Sequence, residues 1–582
     1  MSYVPQVEDL KHVLGAVTGF RKLVDDGAIP DFSSDLMDQI LEEAGRFAGE
    51  VIAPLNVPGD QTGARRREDG SVETAPGWKQ AYDQWVEAGW GSLPSPTEWG
   101  GQGLPLSLSL AAQELWNTST LSFGLGPLLT QGAVEALERH ASPELKQIYL
   151  PKMATGEWTG TMNLTEPQAG TDLAALKTRA VPQGDGTYRI FGTKIFITYG
   201  EHDLTENIIH LVLARLPDAP EGTKGISLFL VPKFLVNPDG SLGARNDVKC
   251  VGLEHKLGIH GSPTCVMAYG EGDGAIGYLV GQENRGLNCM FTMMNSARLH
   301  VGMQGVAIGE RAYQHALNYA RERKQGRRPG SAGMVSIIEH PDVRRMLLDM
   351  RAKVQASRAI CFATAFAFDM ARYAKDEETR RRYDALGQLL TPVAKAFSTD
   401  MGVDVASTGV QVHGGMGFIE ETGAAQYYRD ARIAPIYEGT NGIQAIDLVG
   451  RKLPMGDGAV IADLIRQLRD IAADAKAVND PAFGASAERL TQALNDLEEA
   501  TRWMLEALKG DQDMALASAT PYLSMLGLTA GSAWLVKGAI ADRGNGNVPV
   551  ARFSCEHLLP ETMGLKHRVM SGGESVLKAA IW

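Results

Sequence analysis

The residues best suited to chemistry crowd into TGTMNLTEPQAGTD at 159–172, where Thr161, Asn163, Thr165 and Thr171 surround Pro167 and Gly170 just ahead of a β-prone run. Hydroxyls and backbone amides exposed in such a turn suit a polar ring or a phosphate. The same composition also makes an ordinary turn-rich approach to a strand, so the residues alone leave both readings open. Glu438, in Ile436-Tyr437-Glu438-Gly439-Thr440-Asn441, is a second candidate. A lone carboxylate before Gly-Thr is by itself a solvated turn residue. Arg298, in Met294-Asn295-Ser296-Ala297-Arg298, is a third, and its plain reading is an arginine satisfied by neighbouring helices.

Other chemistries are excluded by spacing. Gly415 and Gly417 are followed by Glu420 where a dinucleotide fingerprint needs its third glycine, and no G-x-x-x-x-G-K-[ST] is present. His255 and His260 fit no zinc motif, and Cys250, Cys265, Cys289, Cys361 and Cys555 are scattered without a C-x-x-C pair, so neither a metal site nor a disulfide framework is expected. The 56 Lys and Arg against 69 Asp and Glu give a net charge of -13, which argues against a nucleic-acid partner or an anionic membrane surface. The opening MSYVPQVEDLKHVLGAV lacks a basic leader and an apolar run, and no uninterrupted apolar span long enough for a membrane helix is evident. A reducing cytoplasm is the expected location.

The elements that must position these residues follow from periodicity. Residues 34–54 place Leu36, Ile40, Ala44, Phe47 and Ile52 near one helical face, and helical segments continue to about 155. Between about 157 and 282, runs such as KIFITYG, NIIHLVLARL and GISLFLV alternate with Gly, Asp, Asn and Pro, predicting a β-domain. Helical periodicity returns from 283 to 453, long enough for a bundle. Beyond Pro454, Val460, Leu464, Leu468 and Ile471, then Leu490, Leu494, Leu497, Thr501, Met504 and Leu508, recur at spacings of three or four, predicting a further helical module whose stripes suit burial against another helix.

Four segments, in order, closely resemble the acyl-CoA dehydrogenase flavoproteins, and the resemblance covers the chain from about 35 to 453. The family's A-x-T-E-P-x-A-G-S-D signature stands here as Asn163-Leu164-Thr165-Glu166-Pro167-Gln168-Ala169-Gly170-Thr171-Asp172, after Met162. Its W-I-T-N strand resembles Phe196-Ile197-Thr198-Tyr199 after Lys194, and its R-K-x-F-G resembles Arg323-Lys324-Gln325-Gly326 without the aromatic residue. Its Q-x-x-G-G-x-G-[FY] is similar to Gln411, Gly414, Gly415, Gly417 and Phe418, followed by YYRDARI and Tyr437-Glu438-Gly439-Thr440.

The resemblance implies an α+β fold: an extension over 1–33, a helical domain over 34–156, a β-barrel-like domain over 157–282, a bundle over 283–453 and an additional helical domain over 457–582. It implies FAD, with Thr165 on the pyrimidine side of the flavin, Thr198 near N5, and Met162, Leu164 and Ile197 beside them. Phe196 stands where the family has Trp, keeping ring stacking and losing an N–H donor. Arg323, Gln411, Gly414 and Gly415 would contact the FAD of a partner subunit, hence a homodimer or a dimer of dimers; His340 and Thr440 are further cofactor candidates. Thr171 keeps a hydroxyl for FAD or the CoA arm, whereas Gly442 replaces a frequent glutamine.

Glu438 would be the base that takes the proton next to the thioester carbonyl, with Asn295, Arg298, Tyr437 and Gly439 near the substrate. Asn295 stands where the family commonly has Asp. The terminal extensions resemble those of the subgroup acting on 3-(methylthio)propionyl-CoA, with electrons passing to an electron-transferring flavoprotein. The alternatives are an acyl-CoA oxidase, although Ala579-Ala580-Ile581-Trp582 is no peroxisomal signal, and a DNA-binding flavoprotein of the same fold.

Overall fold

The computed structural model describes residues 3–544 and 546–581. The principal helices are α1 (Val7–His12), α2 (Ser34–Phe47), α3 (Trp78–Glu87), α4 (Leu106–Ser119), α5 (Leu121–His140) and α6 (Pro143–Thr155). The eight strands of one sheet follow: β1 (Thr159–Asn163), β2 (Arg179–Pro182), β3 (Thr187–Thr198), β4 (Ile208–Arg215), β5 (Ile226–Pro232), β6 (Val248–Leu253), β7 (Thr264–Tyr269) and β8 (Ala275–Val280). Then come α7 (Gly286–Glu322), α8 (Pro341–Tyr373), α9 (Glu377–His413), α10 (Ala424–Ala431), α11 (Asn441–Asp447), α12 (Ala459–Val478), α13 (Ser486–Gly510), α14 (Ala519–Ala541) and α15 (Glu561–Ser571). The chain divides into two compact units, 50–105 with 119–297, and 1–49 with 106–118 and 298–582. Thus α2 and α4, expected within one N-terminal helical domain, group with the C-terminal helices, and α7 passes from one unit into the other.

In the first unit the strand order is β6-β7-β3-β8-β5-β4-β1, with β2 beside β3 and β4. The 12-residue β3 joins the halves: Gly192–Thr198 meets β7 and Thr187–Ile190 meets β8. Successive residues of β4 serve opposite cores. Leu211 and Leu213 pack with α5, α6 and the start of α7, while Val212 and Ala214 join Phe229, Val231 and Met267. Both faces are covered, which is why these strands read as continuous apolar runs.

In the second unit, α7 and α9 approach closely because Gly302, Gly305 and Gly402 carry no Cβ. One on Gly305 would lie 2.4 Å from the Ser398 carbonyl oxygen, and one on Gly302 2.5 Å from that of Ala394. The expected face of α2 holds in part: Ala44 and, beyond the helix, Ile52 are buried, but Met37 and Leu41 are buried while Leu36 is exposed and Ile40 and Phe47 are partly exposed. The helix starts where the Ser33 hydroxyl accepts the Leu36 N–H at 3.2 Å, and tertiary packing then selects the Met37–Leu41 stripe.

The N-terminal extension is tied down by charge: Arg351 bonds Asp9 at 2.7 Å, and Arg358, itself bonded to Glu114 at 2.6 Å and Glu310 at 3.0 Å, lies 3.7 Å from the other Asp9 oxygen. The C-terminal module buries its predicted stripes except at Val460 and Leu508, which are partly exposed, and lays α14 against the bundle, with Gly527 over Phe397 and Gly531 over Ala356. By length and mean composition α14 could cross a membrane, although Thr, Ser, Gly and Lys interrupt its apolar run. In the fold 83% of its apolar window is buried, as in a central core helix.

Candidate functional site

A buried ion pair organises the 159–172 segment. Lys194, on β3, donates to Glu166 Oε1 at 2.8 Å and to the Leu164 carbonyl at 3.0 Å. Glu166 Oε1 also accepts from the Thr178 hydroxyl at 2.6 Å and its N–H at 3.0 Å, and Oε2 from the Lys177 N–H at 2.7 Å. Burial opposes a charged carboxylate here, but the Lys194 ammonium and these hydrogen bonds outweigh it and hold Glu166 at about 2. Burial lowers Lys194 to about 8, with Glu166 resisting. The pair pins the end of β1 against the end of β3, where the Ile195 N–H also bonds the Thr165 carbonyl at 3.0 Å.

Between Lys194 and Ile197 the β3–β7 register slips, forming a bulge. Within it Phe196 has φ 61° and is 58% exposed, a displayed ring on strained backbone. Tyr199 anchors the strand end, its hydroxyl donating to the Ser122 carbonyl at 2.8 Å and accepting from Trp78 Nε1 at 3.0 Å. Ile197 and Leu164 are buried, while Met162, Thr165 and Thr198 are partly exposed and Thr171 is exposed. Among the described residues the Thr165, Thr171 and Thr198 hydroxyls have no protein partner, and a Cβ on Gly170 would meet nothing within 4 Å. The bulge thus displays a ring beside free hydroxyls.

Glu438 lies in the second unit, in the loop before α11, with φ 57°. Gln444 Nε2 donates to the Glu438 carbonyl at 3.3 Å and the Gly439 carbonyl at 3.2 Å, and the Thr440 hydroxyl caps α11 by accepting the Ile443 N–H at 3.4 Å. A Cβ on Gly439 (φ 86°) would come within 2.7 Å of Gln444 Nε2, so this position requires glycine. The Glu438 carboxylate and its backbone N–H have no partner among the described residues. Although Glu438 keeps partial exposure, burial pushes its pKa up to about 7, with Arg298 and Lys395 opposing.

Arg298, 6% exposed, donates to Asp447 Oδ2 at 3.1 Å, and Arg451 pairs with the other Asp447 oxygen at 2.6 Å. The carboxylate partner expected three residues before Arg298 is therefore supplied by α11, while Asn295 is exposed. Tyr437 turns inward, its hydroxyl donating to Gln304. Asp447, Gln444, Asn441 and Lys395 were missed by sequence reasoning; the available signal was one lysine inside the apolar run LLTPVAKAF.

A third group lies at the helix ends. Exposed Arg323 closes α7 and has no side-chain partner among the described residues; its carbonyl accepts the Ile337 N–H at 2.8 Å. His340 Nε2 is tied to the Gln325 carbonyl at 2.8 Å. Gln411 is exposed near the end of α9, Gly414 has φ 61°, and a Cβ on Gly414 or Gly415 would meet nothing within 4 Å. Among the described residues none of these bonds the Glu438 cluster.

Family models match nearly the whole chain: acyl-CoA dehydrogenase N-terminal domain over 34–157, middle domain over 161–270 and C-terminal domain over 284–453. The chain belongs to the acyl-CoA dehydrogenase family. A model described as acetyl-CoA dehydrogenase C-terminal like covers 464–580, the additional module.

The dehydrogenase is 48% identical to 3-methylmercaptopropionyl-CoA dehydrogenase of Ruegeria pomeroyi, over 100% of both chains. It is 38% identical to a butyryl-CoA dehydrogenase of Syntrophomonas wolfei, over 86% of this chain and 83% of the other. Its fold matches Caenorhabditis elegans ACDH-11, solved with C11-CoA, at a TM-score of 0.80 and 21% identity over 100% and 97% of the chains.

The enzyme is thus an oxidoreductase acting on acyl-CoA, and FAD is its cofactor. The residues present fit that group. Free threonine hydroxyls and the displayed Phe196 ring suit a flavin, while the unpartnered Arg323 and the open Gly414-Gly415 backbone suit a pyrophosphate. Among the described residues no cluster of three or more His, Cys, Asp and Glu could hold a metal.

Proposed function

We propose that this dehydrogenase converts a short acyl-CoA, 3-(methylthio)propionyl-CoA foremost, to the 2,3-enoyl-CoA, with Glu438 as the base. The observation that carries the reading is an unpartnered carboxylate on strained backbone, raised to about 7 by burial and flanked by two buried cations. The names of the Ruegeria and Syntrophomonas relatives support the acyl group.

Glu438 takes a proton from the carbon next to the thioester carbonyl onto its carboxylate, and a hydride leaves the adjacent carbon, so the product gains one C=C bond. FAD supplies the acceptor for that hydride. A carboxylate near 7 is a far better base than one near 4.5 and is still half ionised at neutral pH. The unbonded Glu438 N–H is free to donate to the thioester oxygen as negative charge develops there. Arg298, fixed by Asp447, keeps a positive charge beside the base.

Thr165 and Thr198, with Met162, Leu164, Phe196 and Ile197, would hold the flavin ring, and Thr171 the cofactor or the CoA arm. Arg323, Gln411, Gly414 and Gly415 would hold the pyrophosphate end of a partner subunit's FAD, so the working unit is a homodimer or larger. The partly buried bond from Tyr437 to Gln304 gives that residue a positioning role. The electron acceptor is an electron-transferring flavoprotein.

The test is anaerobic single turnover, following flavin absorbance with 3-(methylthio)propionyl-, butyryl-, octanoyl- and 3-arylpropionyl-CoA in parallel. Fastest bleaching by the thioether supports the substrate; no bleaching by any thioester overturns the reading. Glu438→Gln should bind FAD and acyl-CoA yet fail to reduce, and near-normal reduction would move the base elsewhere.

A further inference from the structure

A buried amine without a counter-ion stands beside the proposed base. Lys395 of α9 is fully buried, and its one polar contact among the described residues is the Asn441 side-chain oxygen, 2.9 Å from Nζ. Asn441 is the first residue of α11, three after Glu438. Its amide nitrogen reaches back to α9, lying 2.7 Å from Asp400 Oδ1, 3.0 Å from Thr399 Oγ1 and 3.1 Å from the Ala396 carbonyl. Lys395 and Asn441 therefore clamp the end of the Glu438 loop onto α9. The close crossing at Gly302, whose Cβ would lie 3.2 Å from the Lys395 backbone nitrogen, holds this stretch of α9 against α7, the helix of Arg298.

An amine removed from water with no carboxylate beside it is costly unless an anion is felt nearby. On α7, Arg298 is committed to Asp447. Arg451, just after α11, is committed to the same carboxylate. Asp400 of α9 bonds Asn441, Arg432 lies near Asp400, and the Tyr437 phenol bonds Gln304. Among the described residues Lys395 is the fully buried cation of the set with no carboxylate bonded to it.

We propose that Lys395 is a positioning residue for the dehydrogenation: through Asn441 it fixes the loop carrying Glu438, and its ammonium is a counter-charge for the Glu438 carboxylate. This rests on the reading of Glu438 as base. Proton affinities agree with the geometry. Burial draws Lys395 down to about 7, with Glu438 the largest influence in the other direction. Glu438 is held from rising further by Arg298 and Lys395.

The test measures the pH dependence of anaerobic flavin reduction by butyryl-CoA in the FAD-loaded enzyme and in Lys395→Met, Asp400→Asn and Asn441→Ala. Losing the ammonium should move the rising limb of the Lys395→Met profile upward by on the order of one pH unit, making reduction about tenfold slower at pH 6.5 than in the wild type and closer to it at pH 9. Asp400→Asn lowers the proton affinity of Lys395 and should move the limb the same way by less. Asn441→Ala keeps the charge and frees the loop, so its rate should fall at every pH with the limb in place.

A folded, flavin-loaded Lys395→Met with the wild-type limb overturns the counter-charge. If that variant does not load FAD, an unmoved limb in Asp400→Asn overturns it instead. A wild-type rate in Asn441→Ala overturns the clamp. Failure of the Glu438 reading is seen separately, as persistent reduction by Glu438→Gln.

Discussion

The proton affinity of Glu438 fixes how the reductive half-reaction should respond to pH. With a pKa of about 7, the basic form is about one-eleventh of the enzyme at pH 6 and about ten-elevenths at pH 8, so single-turnover reduction should rise about tenfold across that interval. A carboxylate at the ordinary 4.5 would be almost fully ionised at both, giving a flat profile. The same shift has a stability consequence. Between 4.5 and 7 the folded protein binds more protons at this site than the unfolded chain, so stability falls as pH rises through that window and the penalty is complete above 7. Its ceiling is about 3 kcal/mol, reduced because Glu438 retains some contact with water. Glu438→Gln should therefore be inactive yet more stable than the wild type at pH 8, with the difference vanishing near pH 4.5. Stopped-flow reduction by 3-(methylthio)propionyl-CoA at six or more pH values, with urea unfolding of both proteins, reads both effects. A flat rate profile together with equal stabilities at pH 8 refutes the buried-base argument.

Glu166→Gln leaves Lys194 buried without its carboxylate and should cost about 3–5 kcal/mol in urea unfolding, with loss of bound flavin. Because Glu166 is held at about 2, its pair contributes stability that is present above 4.5 and is lost as pH falls toward 2, the opposite sense to Glu438. Thr440→Ala removes the α11 cap and should cost about 1 kcal/mol by the same measurement. Truncation at Pro454 uncovers the Phe397 and Ala356 surfaces on which Gly527 and Gly531 sit, so the product should aggregate; a folded, flavin-loaded product in gel filtration would show that the module is dispensable.

Much of the fold was legible because its signals are local. The strands between 159 and 280 alternate or run apolar, with turn residues between them, and the C-terminal stripes at Leu464, Leu468, Leu490, Leu494 and Leu497 are all buried. Where two apolar stripes competed, local pattern failed: in α2 it favoured Leu36, whereas Met37 and Leu41 had the neighbours. Scattered Thr, Ser, Gly and Lys interrupt the membrane-length apolarity of α14, yet glycines at 527 and 531 are what seat that helix.

The sequence by itself determined the family, through motifs whose residues are contiguous: Thr165-Glu166-Pro167, Phe196-Ile197-Thr198 and Tyr437-Glu438-Gly439-Thr440. Tertiary structure decided the electrostatics, because charge acts through space and takes no account of chain order. Nothing in the order of residues pairs Arg298 with Asp447, 149 positions away, or brings Lys395 to Asn441, 46 positions away. Nor does it bury a turn glutamate deeply enough to raise it to about 7. Those facts exist only once α7, α9 and α11 have packed, since desolvation and Coulomb interaction depend on what surrounds a group in the folded protein.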